Sequence, residues 1–249
     1  MLPLYEAKMI HLYDTRWATY EPDGSTRLMT EQEKADRTAP MPRYWVAEDE
    51  ASSRWSRPER VFAWRGIART TDARTAIGSM VPVLPGGGNY DMVLGLGEAT
   101  YGNFAAAFSS FAMDFVTRQK LSNMHLQFSV AKQLPVPVAE AHVPGLVLDR
   151  RPGAWLALRV DRLNGWISDP VERKAVRAEL DAYMFHLYGV LRDDAEYVMD
   201  TFTIIRKGEI RATGEYHLKR LILEAYDAMA QAIESGQPYV RPFISGVRA

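Results

Sequence analysis

Four phenylalanines, Phe104, Phe108, Phe111 and Phe115, recur at i, i+4, i+7 and i+11. That spacing predicts one helix over about 103–119, with a continuous aromatic stripe and alanines on its other faces. A helix this apolar must be buried, and the sequence supplies a sheet to bury it against. VFAWRGIAR and RTAIGSMVPV, just before it, read as a pair of strands rich in Val, Phe and Met. The expected fold class is therefore α/β in the mixed α+β sense: a β-rich unit with a buried helix, followed by a helical carboxyl-terminal tail.

Composition sets outer bounds. The 249 residues can enclose a sizeable core. There is no cysteine, which excludes disulfides and thiolate metal sites and fits the cytoplasm. No run approaches the roughly 18 apolar residues of a membrane span. The formal net charge of −1 gives no sign of a nucleic-acid partner, but its distribution does. Between positions 54 and 74 lie six arginines (Arg54, Arg57, Arg60, Arg65, Arg69 and Arg74) against Glu59 and Asp72 alone. The first fifty residues lean the other way, with ten acids and six bases. Arginine's planar fork suits phosphate and the O6/N7 edge of guanine. The plainer reading of such a cluster is a solvated, salt-bridged face.

Along the chain, residues 4–20 read as a strand or a strand and turn. His11 and Asp14 invite a catalytic role there; the alternative is a polar cluster at a domain junction. Residues 21–42 are polar and aperiodic and read as a loop. Glu31, Glu33 and Lys34 have a faint likeness to a metal-dependent nuclease site, which fails because Gln32 stands where an acid is required. A short strand over 43–48 leads into an Arg-rich linker. Gly86–Gly88 reads as a hairpin or loop tip. Gly95 and Gly97 read as turn residues, since a lone G-x-G is a weak nucleotide signal. The helix near 103–119 ends in Arg118, Gln119 and Lys120, cations suited to a helix carboxyl terminus or to a phosphate. MHLQFSVAKQLPVPV reads as extended because of its prolines, and AWLALRV is the one strand candidate in 139–168. In the tail, Asp169-Pro170 starts a helix, Asp193-Asp194 starts a shorter one, and a last helix over about 215–234 stops at Ser235-Gly236.

Six blocks, in order, carry a resemblance: LPLYEAKMIHLYDTRWATY, WRGIARTTDARTAI, DFVTRQKLSNMHLQFSVAKQLPV, RAELDAYMFHLYGV, DTFTIIRKGEI and GEYHLKRLILEAYDAM. Together they resemble the carboxyl-terminal half of large adenine-specific DNA methyltransferases of bacterial restriction–modification and phage-defence systems, type IIG enzymes among them. In that family an amino-terminal domain binds S-adenosylmethionine and methylates N6 of an adenine flipped from the duplex. A later region reads the target sequence, and some members add a nuclease domain.

The resemblance implies a division of the chain. Residues 1–42 would be the lead-in that follows a catalytic domain, 43–138 a target-recognition-like domain, 139–168 a connection and 169–249 a helical tail. The family's Asn-Pro-Pro-Tyr/Phe motif is absent, and Asn89-Tyr90 and Asn103-Phe104 lack the prolines. No catalytic, cofactor or metal residue is carried over. The chain is expected to be a recognition fragment or subunit that does not methylate alone, with S-adenosylmethionine held by the catalytic domain. Its expected partners are double-stranded DNA and that domain, with no membrane. The residues expected to face DNA are Arg54, Arg57, Arg60, Arg65, Arg69, Arg74, Arg118 and Lys120. The competing readings are a non-catalytic scaffold docking on a methyltransferase partner, and an independent enzyme using His11, Asp14 or the acidic loop.

Overall fold

The computed structural model describes residues 1–54, 60–98, 100–121 and 124–242. Small sheets occupy the first hundred residues and helices dominate the remainder, a mixed α+β architecture. β1 (Leu2–Pro3) and β2 (Tyr5–Glu6) lead through a 3₁₀ turn to β3 (Ala18–Tyr20), which forms an antiparallel hairpin with β4 (Thr26–Leu28). α1 (Glu31–Ala35) follows, then β5 (Trp45–Val46), paired with β1, and α2 (Glu48–Arg54). The expected loop at 21–42 therefore contains structure. A local signal explains it: Thr30 and Glu33 form a reciprocal capping box at the start of α1. The expected linker after position 48 likewise begins as helix.

β6 (Val61–Arg65) is the centre of a three-stranded antiparallel sheet, flanked by β7 (Gly78–Val81) and, across β8 (Gly86–Gly87), by β9 (Tyr90–Leu94). Its four apolar residues are buried on both faces, in two different clusters. Phe62 and Trp64 enter the main core, whereas Val61 and Ala63 face Tyr5, Met9, Ile10 and Tyr20. This is the period of two acting on a strand covered from both sides, hence an unbroken apolar run. Gly78 lies against Phe62, whose ring any Cβ there would overlap. Gly86-Gly87 is a parallel partner of β2, and the expected turn falls at Gly88-Asn89, both at positive φ.

The aromatic stripe is divided between two helices. α3 (Tyr101–Ser109) and α4 (Phe111–Lys120) meet at Ser110, which is extended (ψ 158°) and caps α4 by accepting from the Met113 amide at 3.1 Å. The single helix expected from the spacing does not form. Ser109-Ser110 offers the backbone a competing hydrogen-bond partner, and the Phe111 N–H released by the break donates to buried Asp181 at 2.8 Å. Phe104 and Phe108 consequently pack edge-on to Phe62, while Phe111 turns to Phe202 and Phe115 to Tyr197.

α5 (Phe128–Ala131) interrupts the segment expected to be extended, and α6 (Pro152–Asn164) replaces the expected strand AWLALRV. Pro152 at the first turn and the buried set Trp155, Leu156, Val160 and Leu163 make it an amphipathic helix. α7 (Pro170–Leu187) starts as the sequence indicates, with the Asp169 carboxylate accepting from the Val171 amide at 2.9 Å. α8 (Arg192–Asp200), α9 (Thr203–Thr213), which the periodicity did not reveal, and α10 (His217–Ser235) are the remaining described helices, and Gly236 (φ +67°) ends α10. One buried cluster runs from Phe62 and Phe108 through Trp155 to Tyr183 and Met229, so the segments on either side of 139–168 share a core.

Candidate nucleic-acid interface

The fold distributes the eight candidate cations very unequally. Arg74 is buried. It donates to Asp114 at 2.6 Å and to the Ser109 and Ser110 carbonyls, and its guanidinium lies over the Phe111 ring. Arg118 donates to the same Asp114 at 3.1 Å and to the carbonyls of Asp72 and Ala73, closing the 69–75 turn onto α4. Arg65 is bifurcated onto the Ile10 carbonyl at 2.9 and 2.6 Å, and its burial lowers its pKa. Arg60 pairs with Glu98 at 2.7 Å and lies 3.9 Å from the Tyr101 ring centre. These four tie the segment around β6 and β7 to its neighbours. Arg57 and the side chain of Arg54 lie outside the described residues.

Arg69 and Lys120 are exposed. They border a surface built from two stretches that the fold joins edge to edge. The Ala68 amide donates to the Met124 carbonyl at 3.0 Å and the Leu126 amide to the Gly66 carbonyl at 2.8 Å. That ladder sets Ile67 opposite His125, with Ile67 48% and Met124 52% exposed. α5 follows and adds Phe128, which is 47% exposed and stacks on Trp64 at 6.3 Å, and Lys132, whose ammonium lies 4.6 Å from the Phe128 ring centre. Exposed Gln119, Gln127 and Gln133 add amide groups of the kind that read base edges.

Both sequence stretches of this edge are basic, although the Asp91 carboxylate lies against Gly66 and exposed Asp72 adjoins Arg69. From Phe115 to Ala139 the sequence contains Arg118, Lys120 and Lys132 and no acid, and from Arg60 to Thr71 it again contains none. Lys132 and Phe128 are absent from the set expected at the interface on sequence grounds. The acid-free run is the signal that points to them. A surface combining cations, side-chain amides and an exposed ring can contact phosphates through the first and bases through the others.

His11 and Asp14 form a different kind of site. Their backbones are bridged, and Asp14 accepts from Lys34 at 2.8 Å, both side chains nearly inaccessible. His11 stacks on Trp17 at 4.2 Å. Burial first, then Arg65 and other nearby cations, hold its pKa down at about 3, so it is neutral at ordinary pH. A base that weak, beside a carboxylate already engaged by Lys34, is poorly suited to proton abstraction. The geometry is that of a polar junction between the amino-terminal segment and α7, whose Arg173 reaches the Tyr13 carbonyl at 3.4 Å. Among the described residues no group of three His, Asp or Glu side chains is placed to hold a metal ion, and no helix is long and apolar enough to cross a membrane.

Comparison with protein-family models, curated proteins and solved structures finds no match to this chain.

Proposed function

We propose that this chain is the DNA target-recognition portion of a site-specific adenine-N6 DNA methyltransferase of the restriction–modification or phage-defence type. The observation that carries the DNA reading is the edge built from two acid-free sequence stretches, with Arg69, Lys120, Lys132 and the exposed Phe128 ring. Its cations would neutralise backbone phosphates and fix register on the duplex, while the glutamines and Phe128 would meet bases. The six ordered sequence blocks support the link to methylation. Methyl transfer itself belongs to a catalytic domain that binds S-adenosylmethionine, and this chain contributes no reacting group. Such a module would work in the cytoplasm, on double-stranded DNA and beside that domain.

Duplex binding measured against salt concentration tests the proposal. Affinity should fall steeply with salt, and Arg69→Ala with Lys120→Ala and Lys132→Ala should weaken binding and flatten the slope. Salt-independent binding, or no effect of the three substitutions, would sink it.

A second reading, an interaction scaffold for a methyltransferase partner, is favoured by one feature. An apolar cavity of about 440 Å³ lies between α4, α7 and α8, lined by Met113, Phe115, Val116, Tyr188 and Tyr197. Recovery of a methyltransferase catalytic subunit in a pull-down without DNA, abolished by Tyr197→Asp, would support this role.

A further inference from the structure

Between the amino-terminal segment, α1 and the first turns of α7 lies a cavity of about 490 Å³. Its largely apolar lining carries five charged side chains, Asp14, Glu31, Lys34, Arg173 and Arg177, with one more cation than anion. Asp14 is committed twice, to the Lys34 ammonium and to the Arg16 amide, both at 2.8 Å. Glu31 stands exposed at the mouth. Arg173 and Arg177, one turn apart on α7, are both partly buried and both line the cavity. Among the described residues Arg173 hydrogen-bonds only to carbonyls, Leu163 and Tyr13 at 3.3 and 3.4 Å, while the Asp14 and Glu31 carboxylates act on it at longer range. Arg177 forms no hydrogen bond or ion pair with any described residue. Asp181, a turn further along α7, and Glu209 act on it at longer range, but Asp181 accepts the Phe111 amide, Glu209 pairs with Lys174, and Arg74 repels Arg177.

Partly buried guanidinium groups are normally matched by carboxylates or by bound anions, because leaving one unmatched inside a protein is costly. The aromatic rings do not offer the site a different use. Lys34 lies over both Trp17 and Trp166, at 4.9 and 4.6 Å, and His11 and Arg173 also pack on these rings. Arg173 and Arg177 thus bring two guanidinium groups to one cavity, the kind of donor that suits a tetrahedral oxyanion. Trp166, held at φ +79°, fixes the wall against which Arg173 lies, a strained backbone of the sort found at ligand sites.

We propose that this cavity binds a phosphate group, as free phosphate or a phosphomonoester, between Arg173 and Arg177, with the Lys34–Asp14 pair forming its floor. The volume exceeds what the anion alone requires, so a monoester with an organic portion fits better than inorganic phosphate. The inference is independent of the DNA-recognition reading, since none of these residues belongs to the Arg69–Lys132 edge.

The test is calorimetric titration of the full chain at constant ionic strength with inorganic phosphate, AMP and adenosine. A short oligonucleotide with and without a 5′-phosphate is titrated alongside. Single-site saturation by phosphate or AMP, with adenosine inert, is expected. Arg173→Met and Arg177→Met should each weaken it at least tenfold, and Arg69→Ala should leave it unchanged. Tighter binding of the 5′-phosphorylated strand than of AMP would assign the phosphate to a DNA end; the reverse order would assign it to a free monoester. Absence of saturable binding by all phosphate-bearing probes would overturn the proposal. Unaltered affinity in a folded Arg177→Met or Arg173→Met variant would overturn it too. Circular dichroism establishes folding, and if Arg177→Met unfolds, the Arg173→Met comparison decides alone.

Discussion

The Arg74 guanidinium lies 2.6 Å from the Asp114 carboxylate, with 4% and 0% of their side chains exposed. This pair fastens the turn after β6 to α4, and Asp114 also accepts from the Thr75 amide and from Arg118. Removing Asp114 strands the buried Arg74 charge, a loss of about 3–5 kcal/mol, whereas removing Arg74 leaves Asp114 still paired with Arg118 and costs less. In urea unfolding Asp114→Ala should lower stability by that amount and Arg74→Ala by a smaller one. The double variant should lose less than the sum of the two. Additive losses would show that the pair is not coupled.

Gly102 marks the closest approach of two helices. A Cβ there would lie 2.6 Å from the Ala157 nitrogen and 2.9 Å from the Gly153 carbonyl oxygen, both backbone atoms that cannot rotate away. Gly102→Ala should therefore push α3 from α6 and destabilise the protein by roughly 1–3 kcal/mol, despite alanine's better helix propensity. Thermal melting measures this, and an unchanged or raised Tm would contradict the packing.

The DNA reading gives a graded expectation. Every phosphate that is no longer neutralised should reduce the slope of log K against log salt by about 0.9. Arg69→Ala, Lys120→Ala and Lys132→Ala should act additively by this measure. Phe128→Ala should cost affinity without changing the slope, since an aromatic ring releases no counterion. Fluorescence anisotropy on a labelled duplex at several salt concentrations separates the two effects.

Two buried groups make stability respond to pH in opposite directions. The folded pKa of His11, about 3, lies below its ordinary 6.5, chiefly through burial, so its contribution is present above pH 6.5 and is lost as pH falls toward 3. Asp181, raised by burial from 3.8 to about 6, contributes stability below pH 3.8 that is lost as pH rises through 6. Between pH 6 and 4 the two offset each other. Asp181→Asn keeps an acceptor for the Phe111 amide and removes the second effect. It should raise the urea midpoint at pH 8 and expose a decline in stability between pH 6.5 and 4. A flat profile in that variant would refute the assignment to His11.

Several elements are legible because their signals are local. Asp169-Pro170 starts α7 by satisfying amides within one turn, and Ser235-Gly236 ends α10 through a left-handed glycine. The β6–β7 pair is legible from its apolar runs, as is the sheet-covering role of Phe104 and Phe108. The capping box Thr30/Glu33 is present in the sequence, but the polar, aperiodic residues around it conceal the helix it starts. α6 differs from its expected strand because AWLALRV is short and apolar, a pattern that strand and helix share.

By itself the sequence determined the class of fold, the buried aromatic helix region, the placement of α7, α8 and α10 and the basic character of residues 54–74. Tertiary structure alone decided the break at Ser110, where Asp181 from α7 takes up the freed Phe111 amide. It also decided which cations remain at the surface. Charge is written in the sequence, but the partner of a charge is not. Arg74 and Arg69 are five residues apart and alike in chemistry. Asp114, forty residues away from Arg74, draws that side chain into the interior, while Arg69 stays in solvent.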